Sequence, residues 1–284
     1  MRIGLSTPIV VQVPGVACEW EHSATIDDLA SVASAADRVG FEFLTCSEHI
    51  AVPSTDAHIR GAVYWDPLPT LGFLATHTAR IRLATSVLVL GYHHPLEIAK
   101  RYGTLDRVSG GRLVLGVGIG SLAAEFELLG VPFDRRGARA DDALRALRVA
   151  LSNETPDYRG PFYTFSGLTV LPQPAQPRVP LWVGGRSPAS LRRAAAMADG
   201  WMPFGLDASA ITQLLTTVDT PSGFDVVLGS GRLDPEADAT GTRHRLLELR
   251  AAGATVISCS VVARSAEHYC TQLPLLKEIA DTID

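Results

Sequence analysis

Short apolar runs recur along the whole chain, with amphipathic segments between them. Continuous β-branched runs such as ATVISCSVV are typical of parallel strands that are buried on both faces. We predict eight strands: Arg2–Leu5, Glu42–Cys46, Ile81–Leu90, Leu113–Val117, Leu181–Val183, Trp201–Phe204, Phe224–Leu228 and Thr255–Val261.

The segment after the first strand carries the start and stop signals of a helix. Thr25 can cap a helix over Ile26–Val39, Asp28 can complete a capping box three residues later, and Gly40 suits the helix end. The apolar residues of this segment repeat at helical spacing, so they form one stripe that can pack on a sheet. The pattern predicts a further helix over Ala138–Leu151.

Two junctions with proline predict other helix starts. Asp66-Pro67 and Ser187-Pro188 each place an N-cap residue before a proline at the first helical position. The proline-rich stretch 172–180 leads directly into the fifth strand, so we interpret it as an extended lead-in. No charge run, low-complexity tract or short-period repeat divides the chain, and we predict one domain for all 284 residues.

Eight strands separated by helices predict an α/β fold, the (β/α)8 TIM barrel, whose typical size is about 250 residues. A doubly wound sheet is the main alternative. The segment GVGIGS departs from the G-x-G-x-x-G fingerprint, and no strand–glycine–helix unit opens the chain as it does in dinucleotide-binding domains. The barrel is therefore favoured, although periodicity alone does not establish that the sheet closes.

Composition narrows the function classes. The chain is 46% hydrophobic and 19% charged, with a net charge of −5 and only two lysines, so it can bury a large core and is a poor match for nucleic acid. No apolar run approaches the roughly 20 residues of a membrane span. The N-terminal segment lacks a signal-peptide cleavage pattern, which predicts a cytoplasmic protein. The four widely spaced cysteines include no C-x-x-C pair, so neither a disulfide framework nor a metal site is expected.

Four segments fall at or just after predicted strand ends, where the active site of a barrel lies. The first is Ser47-Glu48-His49, after the second strand. A histidine there can exchange a proton near neutral pH because its unperturbed pKa is about 6.5. The Glu48 carboxylate can accept hydrogen bonds from the polar edge of a bound ring system. A structural histidine that bonds a backbone carbonyl is the alternative interpretation.

The next two segments belong to neighbouring strands. Ser86-Val87 lies within the third apolar run, and it can equally be ordinary buried strand. The fourth run leads into Gly118-Ile119-Gly120-Ser121, where the missing Cβ atoms of the glycines allow a ligand to approach the backbone closely. A tight strand-to-helix turn accounts for the same glycines.

The fourth segment is Gly184-Gly185-Arg186-Ser187-Pro188, after the fifth strand. Here two glycines turn the chain and a capped helix begins. Free N–H groups and the dipole at a helix start favour an anion, and the arginine adds positive charge. The segment therefore predicts a phosphate site, with a plain helix cap as the alternative.

Taken together, these segments resemble the luciferase-like monooxygenase superfamily, and within it the oxidoreductases that use the deazaflavin coenzyme F420. The similarity includes the SEH segment, TSVLVLGYHHPLEIAKRYGTLDRVSGGRLVLGVGIG, GVPFDRRGAR, PLWVGGRSPASLRRAA and ADGW. It runs from Arg2 to about Phe204, and more loosely to the C-terminus.

The resemblance implies roles for individual residues. His49 matches the proton donor and acceptor near the reactive carbon of the cofactor ring, and Glu48 matches a carboxylate that contacts the cofactor. Ser86-Val87 matches the place where relatives hold a non-proline cis peptide bond under the ring. Backbone contacts to the cofactor are implied for Gly118, Ile119 and Gly120, and contacts to its phosphate region for Gly184, Gly185 and Arg186.

The chain departs from the family pattern in ways that concern the substrate. Relatives that oxidise a sugar phosphate place a catalytic carboxylate where this chain has Ser121, and they use lysines for the substrate phosphate. That substrate is therefore disfavoured. Many relatives have an aspartate at the position of Glu48, so the resemblance does not fix which cofactor atom Glu48 contacts.

The resemblance implies hydride transfer between the deazaflavin and a small organic substrate, with His49 moving the accompanying proton. Two alternatives stay open: a monooxygenase that uses FMN from a separate reductase, and a barrel that binds cofactor without turnover. Relatives are often dimers, so a homodimer is expected.

The loop 51–66 is long enough to cover the site. Its Tyr64 and Trp65, with Trp20, are candidates for the substrate wall, or for packing at the barrel rim.

Overall fold

Eight parallel strands form a closed barrel in the computed structural model, which describes residues 1–283. The strands are β1 (Arg2–Leu5), β2 (Phe43–Cys46), β3 (Arg82–Thr85), β4 (Leu113–Gly118), β5 (Leu181–Gly184), β6 (Gly200–Met202), β7 (Asp225–Leu233) and β8 (Val256–Val261). Each strand pairs with its neighbours in chain order, and the ring closes where β8 pairs with β1. The predicted TIM barrel is confirmed, and the open, doubly wound alternative is excluded.

Nine α-helices connect the strands within the described residues, and a tenth follows β8. They are α1 (Ile26–Val39), α2 (Ala57–Arg60), α3 (Pro67–Thr76), α4 (Pro95–Ser109), α5 (Ala123–Leu128), α6 (Arg136–Ser152), α7 (Pro188–Met197), α8 (Ala208–Leu215), α9 (Ala239–Ala251) and α10 (Ala266–Asp281). The predicted capping box is present, because the Thr25 hydroxyl accepts from the Asp28 amide at 3.2 Å and the Asp28 carboxylate accepts from the Thr25 amide at 2.7 Å. Asp66 and Ser187 also cap their helices as predicted.

One side chain from almost every strand fills the barrel interior. The layer consists of Phe43, Ala84, Val114, Trp182, Met202, Val227 and Val256. Strand β1 contributes Gly4, where a Cβ would lie 2.6 Å from the Phe43 ring. The Phe43 and Trp182 rings meet edge to face at 5.3 Å. This plug closes the barrel below its carboxyl end, so a ligand can enter only above it.

The predicted strand over Ile81–Leu90 is wrong as one continuous element. Strand β3 ends at Thr85, the Ser86–Val87 peptide bond is cis, and a separate two-residue strand, Leu88–Val89, pairs with the end of β4. Because the strand segments before and after the Ser86–Val87 bond run in the same direction along β4, the hydrophobic pattern of the run cannot reveal the bulge between them.

Two other strand predictions need smaller corrections. The sixth strand ends at Met202, and Phe204 is an exposed side chain beyond it. The seventh continues to Leu233 through an irregularity between Gly229 and Arg232. Two short antiparallel pairs were not predicted: 11–12 with 63–64, and 158–159 with 164–165.

Candidate active site

One cavity of about 650 Å³ opens at the carboxyl end of the barrel. The four predicted segments, 47–49, 86–87, 118–121 and 184–187, all line it. The imidazole after β2 and the twin-glycine turn after β5 therefore share one cleft. A cavity of this size falls in the range of cofactor and small-molecule sites.

His49 is held in the cavity wall by a buried carboxylate. Its Nδ1 atom lies 2.7 Å from Glu125 Oε2, and its ring meets the Tyr64 ring edge to face at 4.5 Å. The His49 side chain is 20% exposed, whereas that of Glu125 is 1% exposed. An ionised carboxylate only accepts hydrogen bonds, so Nδ1 carries the proton and Nε2 is left for other partners.

Glu125 serves several donors at once. Its Oε1 accepts from the Ile50 amide at 2.6 Å and from the Ala51 amide at 3.3 Å. Its Oε2 also accepts from the Tyr92 hydroxyl at 2.8 Å. Burial and the hydrogen bond to Glu125 both raise the pKa of Tyr92, so this hydroxyl remains a donor. The network holds the backbone after His49 as well as its ring.

Glu125 is a functional candidate that the sequence analysis missed. It lies in α5, beyond the glycine-rich end of β4. A signal was present, because Leu122 and Phe126 flank it at helical spacing and are both buried. That spacing places Glu125 on the buried face of the helix, where a carboxylate requires hydrogen-bond partners.

Glu48 is buried beside the Ser86–Val87 bulge that follows β3. Its Oε2 accepts from the Val89 amide at 2.7 Å, and its Oε1 lies 2.7 Å from His93 Nε2. Burial lowers the pKa of His93, but the hydrogen bond and the charge of Glu48 outweigh it and raise that pKa. The carboxylate thus has a structural role in the wall besides its predicted contact with a cofactor.

Three glycines give the cis segment its space. A Cβ on Gly118 would lie 2.6 Å from one methyl of Val87, and a Cβ on Gly184 would lie 2.8 Å from the other. A Cβ on Gly116 would lie 2.0 Å from the Thr85 carbonyl oxygen. The strand-end glycines therefore admit the Ser86–Val87 bulge, in addition to any ligand.

The opposite wall of the cavity is formed by the start of α7. Gly185 adopts φ +132°, and Ser187 and Ser190 form a capping box behind it. The helix begins at the cavity, so the positive end of its dipole points there. Arg186 is exposed, and Arg136 and Arg193 also line this wall. Arg193 is paired with Asp141.

One of the three residues predicted for a substrate wall lines the cavity, and the other two pack elsewhere. Tyr64 lines the cavity, together with Val11, Val13 and Arg60, but neither Trp20 nor Trp65 does. The Trp20 ring packs 6.0 Å from Tyr269, and Trp65 packs against the core beside β2. The short pairing of 11–12 with 63–64 turns Tyr64 inward. We therefore remove both tryptophans from the substrate wall.

Residues 1–283 contain no cluster of three or more His, Cys, Asp or Glu arranged to hold a metal ion. In the same part of the chain, no helix has the length and apolar character needed to cross a membrane.

Residues 1–241 match the family described as luciferase-like monooxygenase. The chain belongs to this family. It is 33% identical over 214 residues to a protein of Nakamurella multipartita named F420-dependent glucose-6-phosphate dehydrogenase, and the match covers 74% of this chain and 61% of that protein. The resemblance predicted from the sequence is thus confirmed at the level of the family.

Solved structures confirm the fold over the whole chain. A monooxygenase from Streptomyces bottropensis superposes with a TM-score of 0.75 at 24% identity, covering 99% of both chains. An F420-dependent secondary alcohol dehydrogenase, solved with an F420–acetone adduct, gives a TM-score of 0.76 at 14% identity and covers 100% of this chain and 99% of that one. At these identities the similarity concerns the fold alone.

Proposed function

We propose that this protein is an oxidoreductase that uses coenzyme F420 and transfers a hydride between the deazaflavin and a small organic substrate. The observation that carries the proposal is the pairing of His49 with Glu125 in the cavity whose far wall presents the start of α7 and three arginines. Relatives of this chain that are named as F420-dependent support the choice of cofactor.

The residues of the cavity suit a flat ring with a phosphate. The bulge at Ser86-Val87 offers an apolar surface in the floor, and the opposite wall offers the α7 dipole and Arg186. We propose that Gly118, Ile119 and Gly120 contact the cofactor through their backbone, that Glu48 contacts the ring, and that Gly184, Gly185 and Arg186 hold the phosphate. When bound, the deazaflavin supplies hydride chemistry without the reactivity toward oxygen that a flavin has.

The task of the protein is then to move one proton and to orient the reactants. Glu125 keeps the Nδ1 proton of His49 in place, so Nε2 can take a proton from a substrate hydroxyl or return one to a carbonyl. Tyr64 packs against the imidazole and shields one side of it from water. The binding of Ile50 and Ala51 to Glu125 limits movement of the loop that carries His49.

We do not propose a sugar phosphate as the substrate. Ser121 stands in the cavity wall where the sugar-phosphate oxidising relatives have a carboxylate, and none of the described residues that line the cavity is a lysine. The wall near His49 is formed by Val11, Val13 and Tyr64, which suits a small and partly apolar alcohol or carbonyl compound. A homodimer remains a prediction from the resemblance, and a cytoplasmic location remains a prediction from the N-terminal sequence.

A fluorescence titration with oxidised coenzyme F420 and with FMN tests the cofactor. We expect micromolar or tighter binding of the deazaflavin and much weaker binding of FMN. A panel of alcohols, followed by absorbance loss of the oxidised cofactor, then tests turnover. Micromolar FMN binding without deazaflavin binding would contradict the proposal and favour an FMN-dependent monooxygenase. Deazaflavin binding without turnover of any alcohol or carbonyl compound would favour the non-catalytic alternative.

A further inference from the structure

Four arginines beside the cavity stack on aromatic rings, and we call them the arginine row. The pairs are Arg136 over Phe133 at 3.8 Å, Arg135 and Arg139 over Phe162 at 5.1 and 4.9 Å, and Arg186 over Phe204 at 5.9 Å. They are all of the cation–π contacts found in residues 1–283. Stacking fixes the plane of a guanidinium and leaves its N–H edge for an anion.

The positive charge of the row has no acidic partner. None of its members forms an ion pair within the described part of the chain, although the protein carries a net charge of −5. Two nearby acids are used elsewhere, since Asp141 pairs with Arg193, and Asp142 accepts from the Tyr158 hydroxyl and from two amides. Asp134, which precedes Arg135, is exposed and forms no ion pair with the row. Arg136 Nε donates only to the Gly120 carbonyl.

The row also lies at an unfavourable place for cations. Arg135 is the N-cap of the 17-residue helix α6, with φ +57°, and no side chain caps this helix. The first turn of α6 contains no acidic residue. Because a helix N-terminus is itself partly positive, cations there lower stability, and an anion bound there raises it. In addition, Arg139 Nε is buried and has no partner among residues 1–283.

The row begins at the cavity and continues outside it. Arg136 and Arg186 line the cavity beside the turn where the phosphate is expected, whereas Arg135, at the N-cap of α6, and Arg139, in its second turn, are outside the lining. Arg193 ties the two helices together, because it donates to the Gly137 carbonyl at 3.3 Å. The row therefore offers positive charge both inside the cavity and just outside it, at the start of α6.

We propose that the arginine row is a binding site for the oligoglutamate tail of coenzyme F420, an inference that rests on the proposed function. The tail is a chain of carboxylates attached beyond the phosphate, and FMN has nothing equivalent. The planar N–H edges of stacked guanidinium groups match carboxylates in geometry as well as in charge. Arg136 and Arg186 receive the phosphate end, and Arg135 and Arg139 bind the glutamyl carboxylates.

Fluorescence titrations with three ligands test the site: long-tailed coenzyme F420, a tail-free form of the same deazaflavin that keeps the phosphate, and FMN. The variant is Arg135→Gln with Arg139→Gln, and the matched control is Arg192→Gln, an exposed arginine on α7. We expect the double variant to weaken binding of the long-tailed form by about tenfold, because two charge-assisted contacts are lost. Binding of the tail-free form should not change, and the control should behave as wild type.

Two further readouts do not depend on activity. The wild-type affinity for the long-tailed form should fall more steeply with salt than that of the double variant, because exposed charge contacts are screened. The melting temperature of the double variant without cofactor should equal or exceed that of wild type, since two cations leave a helix N-terminus.

Three outcomes would overturn the tail site. Equal wild-type affinity for the long-tailed and tail-free forms would overturn it while leaving the proposed function intact. If the double variant lost the same affinity for both forms, these arginines would contact the ring or stabilise the fold and would not bind the tail. Binding of FMN alone would overturn the proposed function and the tail site together.

Discussion

The two sides of the cavity position their charged groups in opposite ways. On one side, the Glu125 carboxylate is 1% exposed and accepts hydrogen bonds from His49 and three other donors. On the other side, the arginine row is held by aromatic rings and none of its members pairs with an acid in the described chain. Hydrogen bonds specify one proton position, whereas stacking orients donors and leaves them available.

The difference suits the two tasks. Proton transfer needs an imidazole with one defined free nitrogen, and a buried network provides that because interactions are strong where water is excluded. Binding a flexible anion needs several accessible donors, each worth little at an exposed site. The comparison therefore predicts large effects on turnover from changes on the His49 side, and small, salt-dependent effects on affinity from changes on the arginine side.

Replacing His49 with alanine gives the largest expected effect. Turnover should fall by about 10²–10⁴-fold, because the group that exchanges a proton with the substrate is lost. The affinity for the deazaflavin should stay close to that of wild type. Steady-state rates and a binding titration on the same preparation measure both quantities. Retained turnover would remove His49 from its proposed role.

Glu125→Gln should give the next largest effect. An amide cannot accept from all four donors, and its NH2 group can face His49 Nδ1 and favour the wrong tautomer. We expect kcat to fall by about 10–100-fold with little change in cofactor affinity, because His49 would remain but its proton would no longer be held on Nδ1.

Glu127→Gln is the matched control for that change, because Glu127 is exposed on the same helix. It should leave both kcat and the melting temperature unchanged. Equal kcat values for Glu125→Gln and wild type would contradict the positioning role of Glu125. A loss of cofactor affinity that accounts for the whole effect would do so as well.

Gly184→Ala tests how closely the α7 side of the cavity packs against Val87 in the bulge after β3. The new methyl would lie 2.8 Å from Val87, so overpacking should lower the free energy of unfolding by about 1–3 kcal/mol. Val87→Ala removes the clash, and the cost of Gly184→Ala should be smaller in that background.

Gly72→Ala provides the reference for the same chemical change, since nothing lies within 4 Å of a Cβ at that helical position. It should leave stability equal or slightly higher. Denaturant unfolding of all four variants measures these differences. An equal cost of Gly184→Ala in both backgrounds would show that Val87 does not limit the space.

Much of the barrel was predictable because each of its elements has a local signal. Thr25, Asp28 and Gly40 mark one helix by residue type and spacing alone. The run Ile81–Leu90 shows where such signals fail, since its apolar pattern is the same whether the strand is continuous or is interrupted by a bulge at Ser86. Trp20 and Trp65 show a second failure, because an aromatic residue near a predicted loop can face the core or the cavity.

By itself, the sequence determined the alternation of strands and helices, the family, and the four segments at strand ends. Those features depend on spacing and residue type within a few neighbouring positions. Only the tertiary structure decided that Glu125 meets His49, 76 residues away in the chain, and that Arg135 and Arg139 lie beyond the cavity. Such contacts depend on how distant elements pack, and no local pattern encodes that packing.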